Sequence, residues 1–133
     1  MKKGFVSDIE KATTENKDFR RVLYTGKYCQ LVLMSLKPGE EIGEEVHDDV
    51  DQFFRFEEGE GKVVIDDVES KVKDGSGVIV PSGAKHNVVN TSKTADLKLY
   101  TIYSPPEHQD KIVRHTKKEA EENEEHFDGK TTE

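Results

Sequence analysis

Two glycine-bounded segments constrain what this chain can fold into more than any other feature of it. The first segment comprises Gly39, Glu45, His47, Gln52 and Gly59, and the second comprises Gly75, Pro81, Gly83, His86 and Asn90. In both segments the polar side chains fall on short strand-like runs between turns, and each segment contributes one histidine. If the strands face each other, these side chains converge on one point.

Turn signals divide the middle of the chain into short strands. Strand-like runs punctuated by Gly, Pro, Asn or Asp recur from residue 19 to residue 103. The predicted strands are 19–25, 28–36, 44–47, 52–57, 62–65, 68–72, 78–80, 85–90 and 97–103. No helical periodicity interrupts them before residue 107. This pattern predicts an all-β sandwich or barrel.

Length and composition predict one domain with charged ends. A chain of 133 residues is the size of one domain. We expect an N-terminal lead-in at 1–18, a β-barrel at 19–106 and a charged tail at 107–133. The lead-in mixes charge with Thr and Asn, which predicts loose structure. Residues 117–125 favour a short helix by propensity but lack an apolar stripe, so we expect it to fray before a disordered end.

The charge pattern and the apolar content narrow the class of partner. The formal net charge is -8, an acidic balance that repels nucleic-acid phosphates, and no basic stripe offsets it. No apolar run is long enough for a membrane span, and we expect no secretory signal. Cys29 is the only cysteine, which fits a cytoplasmic location, and its apolar neighbours predict a buried thiol.

Side-chain alternation places four candidate metal ligands on one face. Residues two apart in a strand point the same way, as Glu45 and His47 do. If that face lines the barrel interior, one cavity is surrounded by Glu45, His47, Gln52 and His86. Two imidazoles, a carboxylate and an amide oxygen suit Zn, Mn, Fe, Co or Ni and lack the sulfur that favours Cu(I). A five- or six-coordinate ion would keep a position open, as catalytic sites do.

Each candidate has an alternative interpretation. Glu45 lies in an acidic run that is typical of a solvated surface, and Gln52 is a weak neutral donor able to hydrogen-bond a neighbour instead. Asp49 and Asp51 are interpreted as solvated loop residues.

Tyrosines of the last strand are candidates for a catalytic role. Either Tyr100 or Tyr103 is a candidate proton donor, with packing in the barrel as the alternative for both. The histidines of the polar tail, at positions 108, 115 and 126, are predicted to be solvated.

The two segments resemble the two sequence motifs of the cupin superfamily. The second motif is matched at each signature position from Gly75 to Asn90. The first is matched in spacing, but Glu45 stands where the family has its first histidine and Gln52 where it has a glutamate. The resemblance implies a double-stranded β-helix, the jelly-roll barrel of that family, with a short helical or disordered C-terminal tail.

The resemblance also implies a metal-dependent activity on a small molecule. Cupin sugar isomerases use a similar His/Glu/Gln ligand set, so the expected function is a metalloenzyme of isomerase type acting on a sugar or a similar polar carbonyl metabolite. A phosphosugar is less favoured, because no Arg or Lys cluster is evident. The alternatives are a metal-dependent dioxygenase and a non-catalytic binding or sensor barrel. Small cupins commonly pair through their sheets, which predicts a homodimer with residues 28–36 at the contact.

Overall fold

Two antiparallel sheets form the molecule, and the computed structural model describes all residues from 1 to 133. The elements are α1 Ile9–Glu15, β1 Arg20–Thr25, β2 Gln30–Leu36, β3 Glu45–Val46, β4 Asp51–Glu58, β5 Glu60–Ile65, β6 Val68–Lys73, β7 Gly77–Val80, β8 Lys85–Asn90, β9 Leu97–Ser104, β10 Val113–Arg114 and α2 Lys117–Glu122. The first sheet has the strand order β10-β1-β2-β9-β4-β7, and the second has the order β3-β8-β5-β6. The predicted all-β fold is confirmed. Neither helix is long and apolar enough to cross a membrane.

The core lies between the sheets and is built from alternate residues of their strands. In β4 the buried side chains include Gln52, Phe54 and Phe56, and in β8 they include His86 and Val88. One cluster of 17 buried apolar side chains joins both sheets. Burial of each large apolar side chain contributes about 1.5–3 kcal/mol. This alternation also decides which polar side chains point inward, because they share a face with the apolar ones.

The prediction of a loosely structured N-terminal lead-in is wrong, because it contains α1. The Asp8 carboxylate accepts a hydrogen bond from the Lys11 amide and caps the helix. Thr13 is fully buried, and the Lys98 ammonium group donates to the Asn16 carbonyl oxygen at the helix end. The helix is therefore held by its cap and by docking on β9, neither of which leaves an apolar stripe in the sequence.

The charged tail forms the predicted short helix but does not end in disorder. The Thr116 hydroxyl caps α2 by accepting from the Glu119 amide. Beyond the helix, the Phe127 amide donates to the Glu107 carbonyl oxygen at 2.8 Å. Thr132 then exchanges two hydrogen bonds with Thr25, at 2.9 and 2.8 Å. The tail is thus tied to the barrel on both sides of α2.

A buried glutamine brings the tail onto the barrel. Gln30 is fully buried at the start of β2. Its Nε2 donates to the His108 carbonyl oxygen at 2.7 Å, and its Oε1 accepts from the Glu107 and His108 amides. A buried amide with both ends satisfied in this way fixes the position of the backbone that it contacts. The prediction that His108 is solvated is wrong, since its side chain is buried as well.

Two further predictions, both about β2, are also wrong. Cys29 is exposed, because it precedes the strand in a turn closed by the Gly26 amide and the Cys29 carbonyl oxygen at 2.8 Å. The strand itself pairs with β1 on one side and β9 on the other. It is therefore not an open edge, which removes the reason for placing a dimer contact at residues 28–36, and the homodimer itself stays a prediction.

Candidate metal centre

Three side chains converge at one end of the barrel. Ligand-capable atoms of Glu45, His47 and His86 all lie within 4.8 Å of one another. Glu45 is directly opposite His86 in the β3–β8 pair, and its Oε2 lies 3.0 Å from His47 Nε2 and 3.9 Å from His86 Nε2. Atoms bound to one ion at about 2.0–2.2 Å can be at most roughly 4.4 Å apart, and both distances from Glu45 Oε2 are below that limit. The predicted convergence of these three side chains on a common centre is present.

The backbone locks the two sequence motifs together. The Gly83 amide, in the turn before β8, donates to the His47 carbonyl oxygen at 2.8 Å. This bond holds the residue after β3 against the turn that leads to His86. The Phe54 ring closes the floor beneath, with its centroid 6.2 Å from that of His86. The position of both imidazoles is therefore set by the barrel and not by a mobile loop.

The His86 ring has the orientation and the tautomer of a metal-binding histidine. Its Nδ1 lies 3.2 Å from the Ala84 carbonyl oxygen, which can only accept, so Nδ1 carries the proton. The other nitrogen, Nε2, is buried and has no hydrogen-bond partner. Burial lowers the pKa of His86, which keeps the ring neutral. Metal-bound histidines commonly donate their second nitrogen to a carbonyl in this way.

Gln52 also presents an unused acceptor. The hydroxyl of Thr101 donates to the Phe53 carbonyl oxygen, so it can only accept from Gln52, whose Nε2 is 3.0 Å away. This assigns Nε2 to Thr101 and leaves Oε1 buried without a partner. A buried acceptor that makes no hydrogen bond costs about 1–3 kcal/mol. His86 Nε2 and Gln52 Oε1 are two such buried acceptors, as expected of side chains that bind a cation.

Glu45 and His47 form an ion pair at the entrance of the site. The hydrogen bond from His47 Nε2 to the Glu45 carboxylate raises the pKa of His47. Burial alone would raise the pKa of Glu45, but the hydrogen bond and charge of His47, with the charge of Arg20, lower it. On the far side of the ring, Glu107 Oε1 lies 3.7 Å from His47 Nδ1. Glu107 therefore lies on the Nδ1 side of the His47 ring, opposite Glu45, where its charge helps to orient the ring.

A tyrosine, a histidine and a glutamate form a hydrogen-bonded chain beside these residues. The hydroxyl of Tyr103 lies 3.2 Å from His108 Nε2, and His108 Nδ1 lies 3.1 Å from Glu125 Oε1. The carboxylate can only accept, so Nδ1 carries the proton and Nε2 accepts from the tyrosine. Burial raises the pKa of Tyr103 and lowers that of His108, in agreement with a protonated phenol and a neutral imidazole.

Only one of the two candidate tyrosines reaches the site. Tyr103 shares the inner face of β9 with Leu99, and its ring centroid is 6.0 Å from that of His47. Tyr100 lies on the outer face, opposite the half-exposed Arg55 and beside the Phe53 ring. The remaining polar candidates are exposed, namely Asp49, Asp51, His115 and His126.

A cavity of about 370 Å³ opens beside Glu45 and His47, with His86, Gln52 and Tyr103 buried behind its wall, and we call it the metal-centre cavity. Residues of the barrel and of the tail both line it. The polar lining residues include Arg20, Glu45, His47, Glu107, His108 and Glu125. The sequence predictions omitted Arg20 and the three tail residues. Strand alternation does place Arg20 inward, two residues before the buried Val22, but no pattern in the sequence indicates that the tail returns to the site.

Replacing His108 with glutamine is expected to make the fold less sensitive to acid between pH 6.5 and pH 5.5. Because burial lowers the pKa of His108, the unfolded chain, with an ordinary pKa of about 6.5, takes up a proton before the folded chain does. The free energy of unfolding of the parent protein therefore falls below pH 6.5, by at most about 1.4 kcal/mol per pH unit from this group. Urea unfolding with chelator present measures the slope.

The exposed His115 provides a control of opposite sign. The hydrogen bond from the His115 ring to the Asp18 carboxylate raises the pKa of His115, so this group stabilises the fold below the unfolded pKa and loses that effect as pH rises. His115→Gln should thus steepen the loss of stability in acid while His108→Gln flattens it. Equal slopes for His108→Gln and the parent protein would contradict a buried neutral His108.

Comparison with known proteins identifies the class. Residues 32–103 match the family model described as "Cupin domain", which is more than half of the 133 residues. This chain belongs to the cupin family, and its two sheets are the double-stranded β-helix of that fold. The family match and the cluster of Glu45, His47 and His86 together define a cupin barrel with a candidate metal centre.

Individual relatives are similar over most of the chain. It is 47% identical over 124 residues to "Uncharacterized protein YrkC" of Bacillus subtilis, covering 89% of this chain and 66% of that protein. It is 41% identical over 107 residues to "Uncharacterized protein L612" of Acanthamoeba polyphaga mimivirus, covering 78% and 67%. The chain therefore spans about two thirds of the length of these relatives. The crystal structure of BH2720 from Bacillus halodurans superposes with a TM-score of 0.89 at 42% identity, covering 91% of this chain and 96% of that one.

Proposed function

We propose that this barrel binds one divalent transition metal and acts as a metalloenzyme of isomerase type on a polar carbonyl metabolite, such as a sugar. The ligands would be Glu45, His47 and His86, with Gln52 as the fourth. The observation that supports this most directly is the pair of buried acceptors without partners, His86 Nε2 and Gln52 Oε1. Mixed nitrogen and oxygen donors suit Zn, Mn, Fe, Co or Ni.

We assign the acid and the base that an isomerase needs to side chains beside the cluster. A bound divalent ion would polarise a carbonyl oxygen of the ligand. Interconverting a hydroxyl and a neighbouring carbonyl removes a proton from one carbon and returns it to the next. We assign the carbon-bound proton to the Glu107 carboxylate on the cavity wall. We assign the oxygen-bound proton to the Tyr103 oxygen, which accepts it as the phenol's own proton passes to His108 Nε2, and the reverse transfers return it. His108, oriented by Glu125, holds that hydroxyl in place.

Replacing Tyr103 with phenylalanine is expected to slow this proton transfer by about 10²–10⁴-fold while metal content stays unchanged. The measurement is incorporation of solvent deuterium next to the carbonyl, followed by NMR, for metal-loaded protein mixed with a panel of unphosphorylated hydroxy-aldehydes and hydroxy-ketones. Tyr100→Phe, on the outer face of the same strand, is the matched control and should leave exchange unchanged.

Two outcomes would contradict the isomerase proposal. Metal-loaded protein that exchanges no deuterium with any member of the panel would indicate a binding barrel without turnover. Oxygen consumption by iron-loaded protein, without exchange, would indicate a dioxygenase.

A further inference from the structure

One buried cation in the metal-centre cavity has no counterion. Arg20 is 9% exposed and lines the cavity together with Glu45 and His47. It makes no side-chain hydrogen bond and no ion pair, and its Nε is buried without a partner. Its guanidinium carbon lies 5.4 Å from the centroid of the Phe19 ring. Side chains alternate between the two faces of β1, so Arg20 points inward while the adjacent Arg21 points outward.

The neighbouring carboxylates are already engaged by other groups. Glu125 contacts His108 through one oxygen, at 3.1 Å, and Arg114 through the other, at 3.3 Å. Glu45 pairs with His47 at 3.0 Å. The charge of Arg20 lowers the pKa of Glu45 and Glu125 only from a distance, as one contribution among several. No carboxylate of the protein therefore completes the coordination of this guanidinium.

A buried charge without a partner is costly for a fold, and an apolar side chain of similar volume is often the more stable choice. A guanidinium that faces a cavity with its donors unused is suited to bind an anion that enters the cavity. Its planar fork matches a carboxylate with two parallel hydrogen bonds. Arg20 thus complements the acidic and imidazole groups on the other side of the same cavity.

We propose that Arg20 binds the carboxylate of the molecule that occupies the metal-centre cavity. This rests on the proposed function and narrows its substrate class to a compact carboxylic acid that also carries a hydroxyl next to a carbonyl; simple hydroxy- and oxo-acids are probes of its binding. The carboxylate contacts Arg20, while a hydroxyl or carbonyl oxygen faces the Glu45, His47 and His86 cluster. A phosphate is disfavoured, because a phosphate group carries a charge of nearly -2 at neutral pH and the cavity offers it one unpaired arginine among many glutamates.

The test compares ligands that differ only in charge. Metal-loaded protein is titrated with lactate and pyruvate, with the neutral lactamide and pyruvamide, and with inorganic phosphate, by calorimetry. Loss of one hydrogen bond to a charged group weakens binding by about 10- to 100-fold. We expect the acids to bind the parent protein at least about 10-fold more tightly than the amides. Arg20→Gln should remove that difference, and Arg20→Lys should keep part of it.

Arg21→Gln is the matched control, because Arg21 is the adjacent arginine on the outer face and forms an ion pair with Asp18. It should bind the acids as the parent protein does. The inference is overturned if no acid binds the parent protein, if an amide or phosphate binds as tightly as the acids, or if Arg20→Gln binds the acids unchanged. The comparison of acids and amides on the parent protein needs no variant, so it stands even if Arg20→Gln does not fold.

Metal content is measured on each sample, which separates this inference from the proposed function. A parent protein that holds no metal would contradict the proposed function. A parent protein that holds metal but does not distinguish acids from amides would contradict only the assignment of Arg20.

Discussion

Replacing both His47 and His86 with alanine is expected to abolish stoichiometric metal binding. The parent protein, purified without an affinity tag, should hold about one ion per chain, since its ligand atoms lie within 4.8 Å of one another. Loss of a residue that merely orients a ligand typically weakens binding 10- to 100-fold, so removing two direct ligands should weaken it by more than about 100-fold. Elemental analysis gives the stoichiometry, and titration against a competing chelator gives the affinity.

The control for this double variant is His115→Ala, which removes an exposed histidine far from the cluster. It should hold the same amount of metal as the parent protein. Thermal unfolding of the metal-free proteins shows whether the double variant is folded, because the comparison is then free of stabilisation by bound ion. A folded double variant that retains the ion at parent affinity would rule out this centre.

The fold and the core of the site follow from local signals in the sequence. Turn residues separate the strands, and period-two alternation predicts one shared face for Glu45, His47, Gln52 and His86; the structure groups Glu45, His47 and His86 and buries Gln52. The same rule explains why Tyr103 reaches the site and Tyr100 does not. The strands β4, β8 and β9 each pair on both sides and have little freedom to turn their side chains elsewhere, whereas β3 pairs only with β8.

The part of the site that comes from the tail could not be predicted in this way. Glu107, His108 and Glu125 lie in a polar segment whose composition favours solvent exposure. They reach the cavity because Gln30 binds the backbone of residues 107 and 108, and because Thr25 and Thr132 bind each other. Such contacts join residues far apart in the chain and depend on a single amide or hydroxyl. They leave no periodic pattern for sequence analysis to detect.

The exposed Cys29 shows a related limit. Its apolar neighbours predict burial, but Cys29 is the last residue of the turn, and β2 begins at the next residue, Gln30. Strand boundaries are set by which amides find partners, here the Gly26 amide, and hydrophobicity does not report this.

Replacing Gly59 with alanine is expected to destabilise the protein by about 2–6 kcal/mol. Gly59 joins β4 to β5 with φ of 99°, a conformation that costs a residue with a side chain roughly 1–3 kcal/mol. A Cβ at this position would also lie 2.5 Å from the Asp96 carbonyl oxygen and 3.1 Å from Leu97 Cα. These are backbone atoms at the start of β9, which cannot move without shifting a strand of the core, and overpacking of this kind costs about 1–3 kcal/mol more.

Gly75→Ala separates the cost of the backbone conformation from the cost of steric overlap. Gly75 has a similar φ of 90°, but a Cβ there would have no heavy atom within 4 Å. Only the conformational cost applies, so the loss should be about 1 kcal/mol, near the lower end of the range for strained backbone. Thermal unfolding should show a midpoint for Gly59→Ala lower than that for Gly75→Ala by roughly 5–10 °C. Equal midpoints would mean that β9 yields to the added methyl group, and that the first-motif glycine is required for its backbone conformation and not for the close approach of Asp96.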